Sequence, residues 1–167
     1  MPDPVYRTLF LCAQNSARSV IAEAVLRKIA PERFKAFSAG SRPAAAPMPA
    51  VIDRMQALGY DTVGLRSKSW NEFTGADAPR MDFVITMCDT LEQDECPDFG
   101  GKVVTAAWPF PDPAKFTGSD TEKAAMINEL VGMIRRRLEI FVNLPFDTLD
   151  QMALQARLDE IGSQTGA

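Results

Sequence analysis

A cysteine and an arginine bracket a short polar segment near the beginning of the chain. In "CAQNSAR", five residues separate Cys12 from Arg18, and they include Asn15 and Ser16. A cysteine thiolate is a nucleophile, and an arginine guanidinium presents a planar fork of donors that fits a tetrahedral oxyanion. The residue types and their spacing therefore indicate nucleophilic attack on a bound oxyanion.

The flanking segments would bring these side chains to one site. "VYRTLFLC" (5–12) is an apolar, β-rich run typical of a strand covered on both faces, and "ARSVIAEAVLRKIA" (17–30) has apolar residues at helical spacing. A loop that leads directly into a helix turns several backbone N–H groups toward one point, where the helix dipole adds about half a positive charge. Asn15 tolerates a positive φ, which lets successive amides converge in a loop without glycine.

We therefore expect the backbone of this loop and the Arg18 side chain to bind an oxyanion. The candidate binding residues are Ala13, Gln14, Asn15, Ser16, Ala17, Arg18 and Ser19. The same amides would stabilise a thiolate and lower the pKa of Cys12 from about 8.5 toward roughly 3.5–7.5. The Ser19 hydroxyl would hydrogen-bond that thiolate or help to start the helix. The alternative is that Cys12 is a buried strand-end residue and Arg18 a surface residue at a helix start.

Composition limits what this loop can belong to. The chain has 167 residues with 46% hydrophobic and 24% charged, which favours a single globular domain. Lys and Arg total 18 against 22 Asp and Glu, a net charge of −4, so we expect no nucleic-acid or membrane partner and a purely local anion site. Apolar runs are too short to span a bilayer and the N-terminus lacks a signal-peptide layout, which predicts a cytoplasmic protein, and we expect a monomer.

The absence of histidine is equally informative about the chemistry. The sequence has no histidine and 3 widely spaced cysteines. Ser-His-Asp and Cys-His nucleophile pairs are thereby excluded, and zinc would lack its usual nitrogen ligand. We expect no metal site and no tightly bound cofactor. An odd set of cysteines is a poor disulfide framework and indicates packing or redox chemistry.

Strand and helix patterns alternate along the chain. Further strands are predicted at 34–40, 81–88 and 102–108, and further helices at 50–59, 120–143 and 149–161. This order predicts a three-layer α/β/α fold, an open sheet of about four parallel strands with helices on both faces. We expect residues 1–145 to form the catalytic domain, with 146–167 as a helical extension packed on it. The opening loop would then lie at the carboxyl edge of the sheet, where such folds bind ligands.

Several motifs also match one family. They are "CAQNSARS" (12–19), "FSAGS" (37–41), "RSKSW" (66–70), "MDFVITMCDT" with "ECP" (81–97) and "WPFPDPA" (108–114). Together they resemble the arsenate reductases built on the low-molecular-weight protein tyrosine phosphatase fold, over nearly the whole chain. The resemblance implies Cys12 as nucleophile, Arg18 with the loop amides as oxyanion clamp, and Asp112 as general acid. Many relatives have histidines where this chain has Met48 and Ala107, which puts any tuning by those positions in doubt.

The other two cysteines favour a reductase over a phosphatase. Reducing arsenate needs two electrons, which a second thiolate supplies by attacking the Cys12 sulfur. Cys88 follows the third predicted strand at the same sheet edge as Cys12, and Cys96 lies in a polar, acidic segment. We predict a relay from Cys12 to Cys88 to Cys96, completed by an external thiol reductant: thioredoxin, glutaredoxin or a low-molecular-weight thiol. The alternative is that Cys88 packs in the core and Cys96 has no role.

Asp112 and its neighbours bear on the substrate. Without histidine, a carboxylic acid in the proline-bounded "PFPDPAKF" is a reasonable proton donor, although Asp before Pro is also a common turn element. Tyrosine phosphatases of this fold typically carry an aromatic residue just after this Asp-Pro, whereas Ala114 stands here, which favours a small inorganic oxyanion. Trp70 and Trp108 are expected in the core or, less readily, in the pocket.

The sequence therefore predicts a thiol-dependent arsenate reductase acting in arsenic detoxification. Two alternatives stay open: a low-molecular-weight phosphatase that hydrolyses phosphate monoesters, and a non-catalytic oxyanion-binding or redox-sensing protein. The basic run at 135–137 is interpreted as the solvated edge of a packed helix. Asn15 and Ser38 are interpreted either as turn residues or as members of a polar network behind the loop.

Overall fold

A four-stranded, all-parallel sheet forms the centre of the molecule, with strand order β2-β1-β3-β4. The structure is a computed structural model that describes residues 4–87 and 103–163. The strands are β1 (Tyr6–Cys12), β2 (Phe34–Gly40), β3 (Phe83–Thr86) and β4 (Val104–Ala107). The helices are α1 (Arg18–Ile29), α2 (Pro49–Ala57), α3 (Asp120–Val142) and α4 (Gln151–Ser163). The predicted parallel α/β sheet is confirmed.

Element bounds follow the sequence patterns closely because each pattern is a local property. The observed β2 has the predicted bounds, and the bounds of the four helices differ from the predicted ones by at most two residues. The strands predicted at 81–88 and 102–108 reach into residues outside the described ones, and their described parts are β3 and β4. Helix α3 begins with a capping box in which Ser119 and Glu122 each accept a backbone N–H of the other. None of the described helices has the length and apolarity that crossing a bilayer requires.

Both faces of the sheet are buried, as expected for parallel strands. Along β1, Phe10 packs into the larger hydrophobic cluster together with residues of all four helices. Leu9 and Leu11 point the other way, into a smaller cluster that includes Trp70 and Phe73 of a short 3₁₀-helix. The alternation follows from the two-residue period of a strand. In the described part of the chain, residues of the four α-helices therefore pack against one face of the sheet, and the 3₁₀-helix packs against the other.

Aromatic rings close the amino edge of the sheet. Tyr6, Phe34 and Phe83 stand at or next to the beginnings of three strands, and each packs against Phe146 with ring centroids 4.8–5.7 Å apart. Phe141 of α3 contacts Phe34, Phe83 and Phe146 in the same cluster. Such tilted and edge-on pairs stabilise a core beyond the area they bury. The cavity described below lies at the opposite edge, where the carboxyl ends of the strands are.

Helix α4 packs directly against β4. The indole N–H of Trp108, which is fully buried, donates to the Leu158 carbonyl at 2.9 Å. The Gln155 side chain accepts from the backbone N–H of Thr105 at 3.2 Å and donates to its carbonyl, in the manner of an added strand residue. Trp108 and Trp70 are thus core residues. The division of the chain at residue 145 stays a prediction, because these contacts do not define a domain boundary.

Gly162 allows this close approach of α4. A Cβ at Gly162 would lie against the Ala107 carbonyl and 2.7 Å from Cδ1 of Trp108, whereas one at Gly132 in α3 would have only Arg136 Nη1 nearby, at 3.4 Å. We expect Gly162→Ala to lower the free energy of unfolding by about 1–3 kcal/mol through overpacking. Gly132→Ala should raise it by about 0.4–1 kcal/mol, because it removes backbone entropy from the unfolded chain. Urea unfolding followed by circular dichroism measures both, and equal midpoints for the two variants would contradict the packing described.

Candidate active site

A cavity of about 290 Å³ opens at the carboxyl end of β1. Its described lining consists of Cys12, Ala13, Gln14, Ser16, Ala17, Arg18, Arg42, Asp112 and Lys115. Cys12 is the last residue of β1 and is 3% exposed, and α1 begins six residues later. The strand-loop-helix arrangement predicted from the sequence is present.

The amino end of α1 has no capping side chain. Ala17 occupies the N-cap position without a side-chain hydrogen bond, and the first turn contains no acidic residue. The first amides of a helix have no intrahelical acceptor, and a cap or a bound anion normally satisfies them. Asn15 has φ 49°, the one positive φ of a non-glycine residue in the described part of the chain. The helix end is therefore a site of positive potential next to the Cys12 sulfur.

Hydrogen bonds of Asn15 hold the loop between Cys12 and Arg18 in position on the side away from the cavity. Its side chain donates through Nδ2 to Ser19 Oγ at 2.8 Å and accepts at Oδ1 from the Lys68 backbone N–H at 2.9 Å. Its carbonyl accepts from Ser67 Oγ at 2.6 Å. Because Asn15 is fully buried, these bonds are not exchanged with water. Of the two interpretations of Asn15, the polar network is the one that the structure contains.

The segment after β2 holds the carbonyl side of the loop. The carbonyls of Ala13, Gln14 and Ser16 accept backbone N–H groups of residues 42, 44 and 48 at 2.8–2.9 Å. Gly40 lies so close that a Cβ there would be 2.5 Å from the Ala13 carbonyl oxygen and 2.8 Å from that of Cys12. These contacts fix the outward direction of the carbonyls, which turns the amides of the same peptide units toward the cavity.

Arg18 links the loop to the segment that carries Asp112. Its Nη1 donates to the Phe110 carbonyl at 3.2 Å, and its Nη2 lies 3.4 Å from Oδ2 of Asp112. The other Asp112 oxygen accepts the Ala114 N–H at 2.9 Å. Arg18 is 6% exposed, and its Nε has no hydrogen-bond partner among residues 4–87 and 103–163. A buried donor without a partner is costly, and Arg18, which carries it, belongs to the lining of the cavity.

A buried ionic cluster supports the loop from the side of the sheet. Glu23 of α1, 5% exposed, accepts Ser38 Oγ and Arg27 Nη2, each at 2.6 Å. Lys68 Nζ donates to the Ser38 carbonyl at 2.9 Å and lies 3.7 Å from Glu23 Oε1. Burial lowers the pKa of Lys68, and the Glu23 carboxylate opposes that shift. Ser38 therefore belongs to a network, and the backbone of Lys68 connects it to Asn15.

Arg137 corrects the interpretation of residues 135–137 as a solvated edge. It is 6% exposed, and its guanidinium lies 4.4 Å from the centroid of the Phe110 ring. Desolvation by burial lowers the pKa of Arg137. Arg135 is half-buried and donates to Glu139 and to the Tyr60 hydroxyl, so only Arg136 fits the original interpretation. The prediction was wrong for Arg137 because a helical wheel does not show which partner an arginine meets.

The structure brings most of the predicted site residues together. Cys12, Arg18, Asp112 and the loop residues line the cavity, apart from Asn15 and Ser19, which lie behind it. Cys88 and Cys96 lie outside the described residues. Sequence reasoning missed Arg42, Lys115, Lys68 and Glu23. A carboxylate at position 23, within the mostly apolar run from Val20 to Leu26, was an available signal for Glu23.

Comparisons with known proteins agree with this geometry. A family model described as low molecular weight phosphotyrosine protein phosphatase matches residues 7–143. An arsenate reductase of Oceanobacillus iheyensis is 31% identical over 132 residues, which cover 79% of this chain and 91% of that protein.

Two solved structures are similar as well. A thioredoxin-dependent arsenate reductase of Corynebacterium glutamicum superposes with a TM-score of 0.58 at 28% identity, over 84% of this chain. The match spans only 63% of the length of that chain. The tyrosine phosphatase Wzb of Escherichia coli K30, solved in complex with sulphate, has a TM-score of 0.63 at 25% identity, covering 83% of this chain and 99% of that chain.

Gly40 offers a test of how tightly the loop must be held. We expect Gly40→Ala to weaken sulfate binding and lower any activity by about 10²-fold, because the Cβ displaces the loop that carries the amides. Protection of Cys12 from alkylation by sulfate measures the binding. Gly75→Ala is the matched control, since a Cβ at Gly75 meets nothing within 4 Å. A Gly40→Ala protein that binds sulfate as the control does would show that the close approach is unimportant.

Proposed function

The chain belongs to the low molecular weight phosphotyrosine protein phosphatase family, and from this premise we propose that it is an arsenate reductase with Cys12 as its nucleophile. The observation that carries the proposal is the position of Cys12 beside an uncapped helix end and a buried Arg18 donor that lacks a partner among the described residues. The arsenate reductase of O. iheyensis, similar over 91% of its length, supports the choice of substrate.

The first step forms a bond between sulfur and arsenic. Arsenate would bind to the amides of residues 13–18 and to Arg18, which also stabilise the Cys12 thiolate. The thiolate attacks arsenic, and the hydroxyl group of the arsenate dianion leaves as water after taking a proton from Asp112. This role is supported by the contact of Asp112 with Arg18 Nη2 and by its position in the lining of the cavity.

The second step transfers two electrons. The Cys88 thiolate attacks the Cys12 sulfur, the sulfur–arsenic bond breaks with its electron pair going to arsenic, and arsenite leaves while a Cys12–Cys88 disulfide remains. Cys96 then attacks Cys88, which frees Cys12 and leaves a Cys88–Cys96 disulfide. An external thiol reductant of the thioredoxin, glutaredoxin or small-thiol class reduces that disulfide. The similarity to a thioredoxin-dependent arsenate reductase supports the first of these classes.

Two features of the described residues support a reductase acting on a small oxyanion. Met87, the residue before Cys88 in the sequence, donates its N–H to the Leu11 carbonyl at 2.8 Å and therefore lies beside the end of β1. The described lining of the cavity contains no aromatic ring, and Ala114 after the Asp-Pro pair is exposed. A phosphotyrosine ring would find no stacking partner among these residues.

Serine substitutions at the three cysteines separate the candidate functions. We expect Cys12→Ser to abolish arsenate reduction, and Cys88→Ser and Cys96→Ser to abolish multiple turnovers, because each removes one thiol of the relay. Arsenate-dependent oxidation of NADPH, coupled through thioredoxin and its reductase, measures turnover. A phosphatase would instead keep hydrolysis of p-nitrophenyl phosphate in both Cys88→Ser and Cys96→Ser, with no arsenate-dependent NADPH oxidation in the wild type. A binding or sensing protein would show neither activity.

Removing the proton donor should slow the first step. We expect Asp112→Asn to lower kcat by about 10²-fold, because the amide keeps an acceptor for Ala114 but cannot protonate the departing oxygen. Steady-state kinetics of the variant and the wild type, with arsenate as the varied substrate, measures the effect on kcat. Asp77→Asn, at an exposed position, is the control. An unchanged kcat in Asp112→Asn would remove Asp112 from the mechanism.

A further inference from the structure

Helix α4 packs beside the strand that leads into the segment carrying Asp112. The helix lies beyond residues 7–143, the part of the chain that the family model matches, and the catalytic proposal gives it no role. β4 is the last strand in the order of the described sheet. The Gln155 side chain of α4 accepts the Thr105 N–H of this strand and donates to the Thr105 carbonyl. The helix is therefore bound to β4 through the backbone of the strand.

Trp108, the residue directly after β4, is the second point of attachment. Its backbone N–H donates to the Thr86 carbonyl of β3 at 2.7 Å, and its indole N–H donates to the Leu158 carbonyl of α4 at 2.9 Å. Gly162 of α4 lies so close that a Cβ there would be 2.7 Å from Cδ1 of the indole. Trp108 is thus held by the sheet through its backbone and by α4 through its side chain.

The chain between Trp108 and Asp112 is stiff. Residues 109–111 are Pro, Phe and Pro, and each proline ring fixes φ at about −65°. The Phe110 carbonyl accepts Arg18 Nη1 at 3.2 Å, and Asp112 Oδ2 lies 3.4 Å from Arg18 Nη2. Because the segment has little freedom to absorb a displacement, movement of Trp108 would also move the Asp112 carboxyl.

We propose that Trp108 and Gln155 are positioning residues through which α4 holds the Asp112 carboxyl in place for proton transfer. This inference rests on the proposed function, in which Asp112 protonates the departing oxygen. Neither residue belongs to the described lining of the cavity, so both act through Asp112. A proton donor must lie within hydrogen-bond reach of its acceptor, and a misplacement of about 1 Å can cost about 10²-fold in rate.

Two variants loosen the attachment by different routes. Trp108→Phe keeps an aromatic ring in the core but removes the donor to α4, and Gln155→Ala removes the hydrogen bonds to Thr105 without changing the core. Gln151→Ala is the matched control, at an exposed position of the same helix. Phe146→Leu is the stability control, because it weakens the aromatic cluster at the amino edge of the sheet.

Kinetics in two backgrounds shows whether the effect passes through Asp112. We expect kcat/KM for arsenate to fall about tenfold in Trp108→Phe and about threefold in Gln155→Ala, and to be unchanged in the Gln151→Ala control. In an Asp112→Asn background, both variants should lower it further by less than about 1.5-fold, because the proton donor is already absent. Equal losses in the two backgrounds, or an equal loss in the control, would overturn the proposal.

Sulfate binding separates a misplaced proton donor from a damaged site. The sulfate concentration that half-protects Cys12 from iodoacetamide should stay within about twofold of the wild-type value in both variants, because the loop that carries the amides is held by contacts with other elements. A loss of sulfate protection as large as the loss of kcat/KM would show general damage to the site and overturn the proposal.

Amide hydrogen exchange tests the attachment without turnover. The Ala114 N–H donates to Asp112 Oδ1 at 2.9 Å and the Lys115 N–H to the Asp112 carbonyl at 3.1 Å, so both amides report on the position of Asp112. In the two variants their exchange should be about threefold faster or more, whereas exchange of the Ile21 amide in α1 should change by less than about twofold. Unchanged exchange at 114 and 115, or the same acceleration in the stability control, would overturn the proposal.

The exchange measurement also keeps the two proposals separate. A wild-type protein that does not reduce arsenate would overturn the reductase, while faster exchange at 114 and 115 in both variants would still support the role of α4 in holding this segment. An active reductase whose kinetics and exchange are unchanged in both variants would overturn the role of α4 alone.

Discussion

The uncapped amino end of α1 is the feature on which the site depends. A helix start without a capping side chain has backbone donors available for a ligand, and in this protein the helix begins at the wall of a cavity next to a buried cysteine. The same dipoles that stabilise an anion stabilise a thiolate. Ala17 at the N-cap has no side chain that could hydrogen-bond to these amides. A serine or aspartate there would satisfy the helix internally and compete with the ligand.

Holding those donors in place requires a rigid loop, and the protein provides it without glycine in the loop itself. Asn15 supplies the positive φ and three hydrogen bonds, and the residues after β2 bind the outward carbonyls. A glycine is found instead at the end of the neighbouring strand β2, because a Cβ at Gly40 would collide with the carbonyl oxygens of Cys12 and Ala13. Preorganisation of this kind removes the cost of ordering donors when the anion arrives.

A cluster of charged side chains around Glu23 lies in the interior of the molecule. Burying Glu23 and Lys68 is expensive in desolvation, and their pairing with each other, with the half-buried Arg27 and with Ser38 offsets that cost. The cluster joins α1, β2 and the segment before the 3₁₀-helix at Trp70–Phe73. The backbone of Lys68 in that segment is hydrogen-bonded to Asn15 of the loop after β1.

The sequence by itself determined the elements and the core of the site. Periodicity and turn residues act over a few positions, so the strand-loop-helix unit and the Cys12–Arg18 spacing could be predicted from neighbours alone. Tertiary structure alone decided the rest, because partners far apart in the chain had to meet. The contact of Lys68 with Glu23 and the burial of Arg137 over Phe110 arise only when distant segments pack together. Local patterns carry no information about such contacts, since the energy of a buried charge depends on what lies across from it.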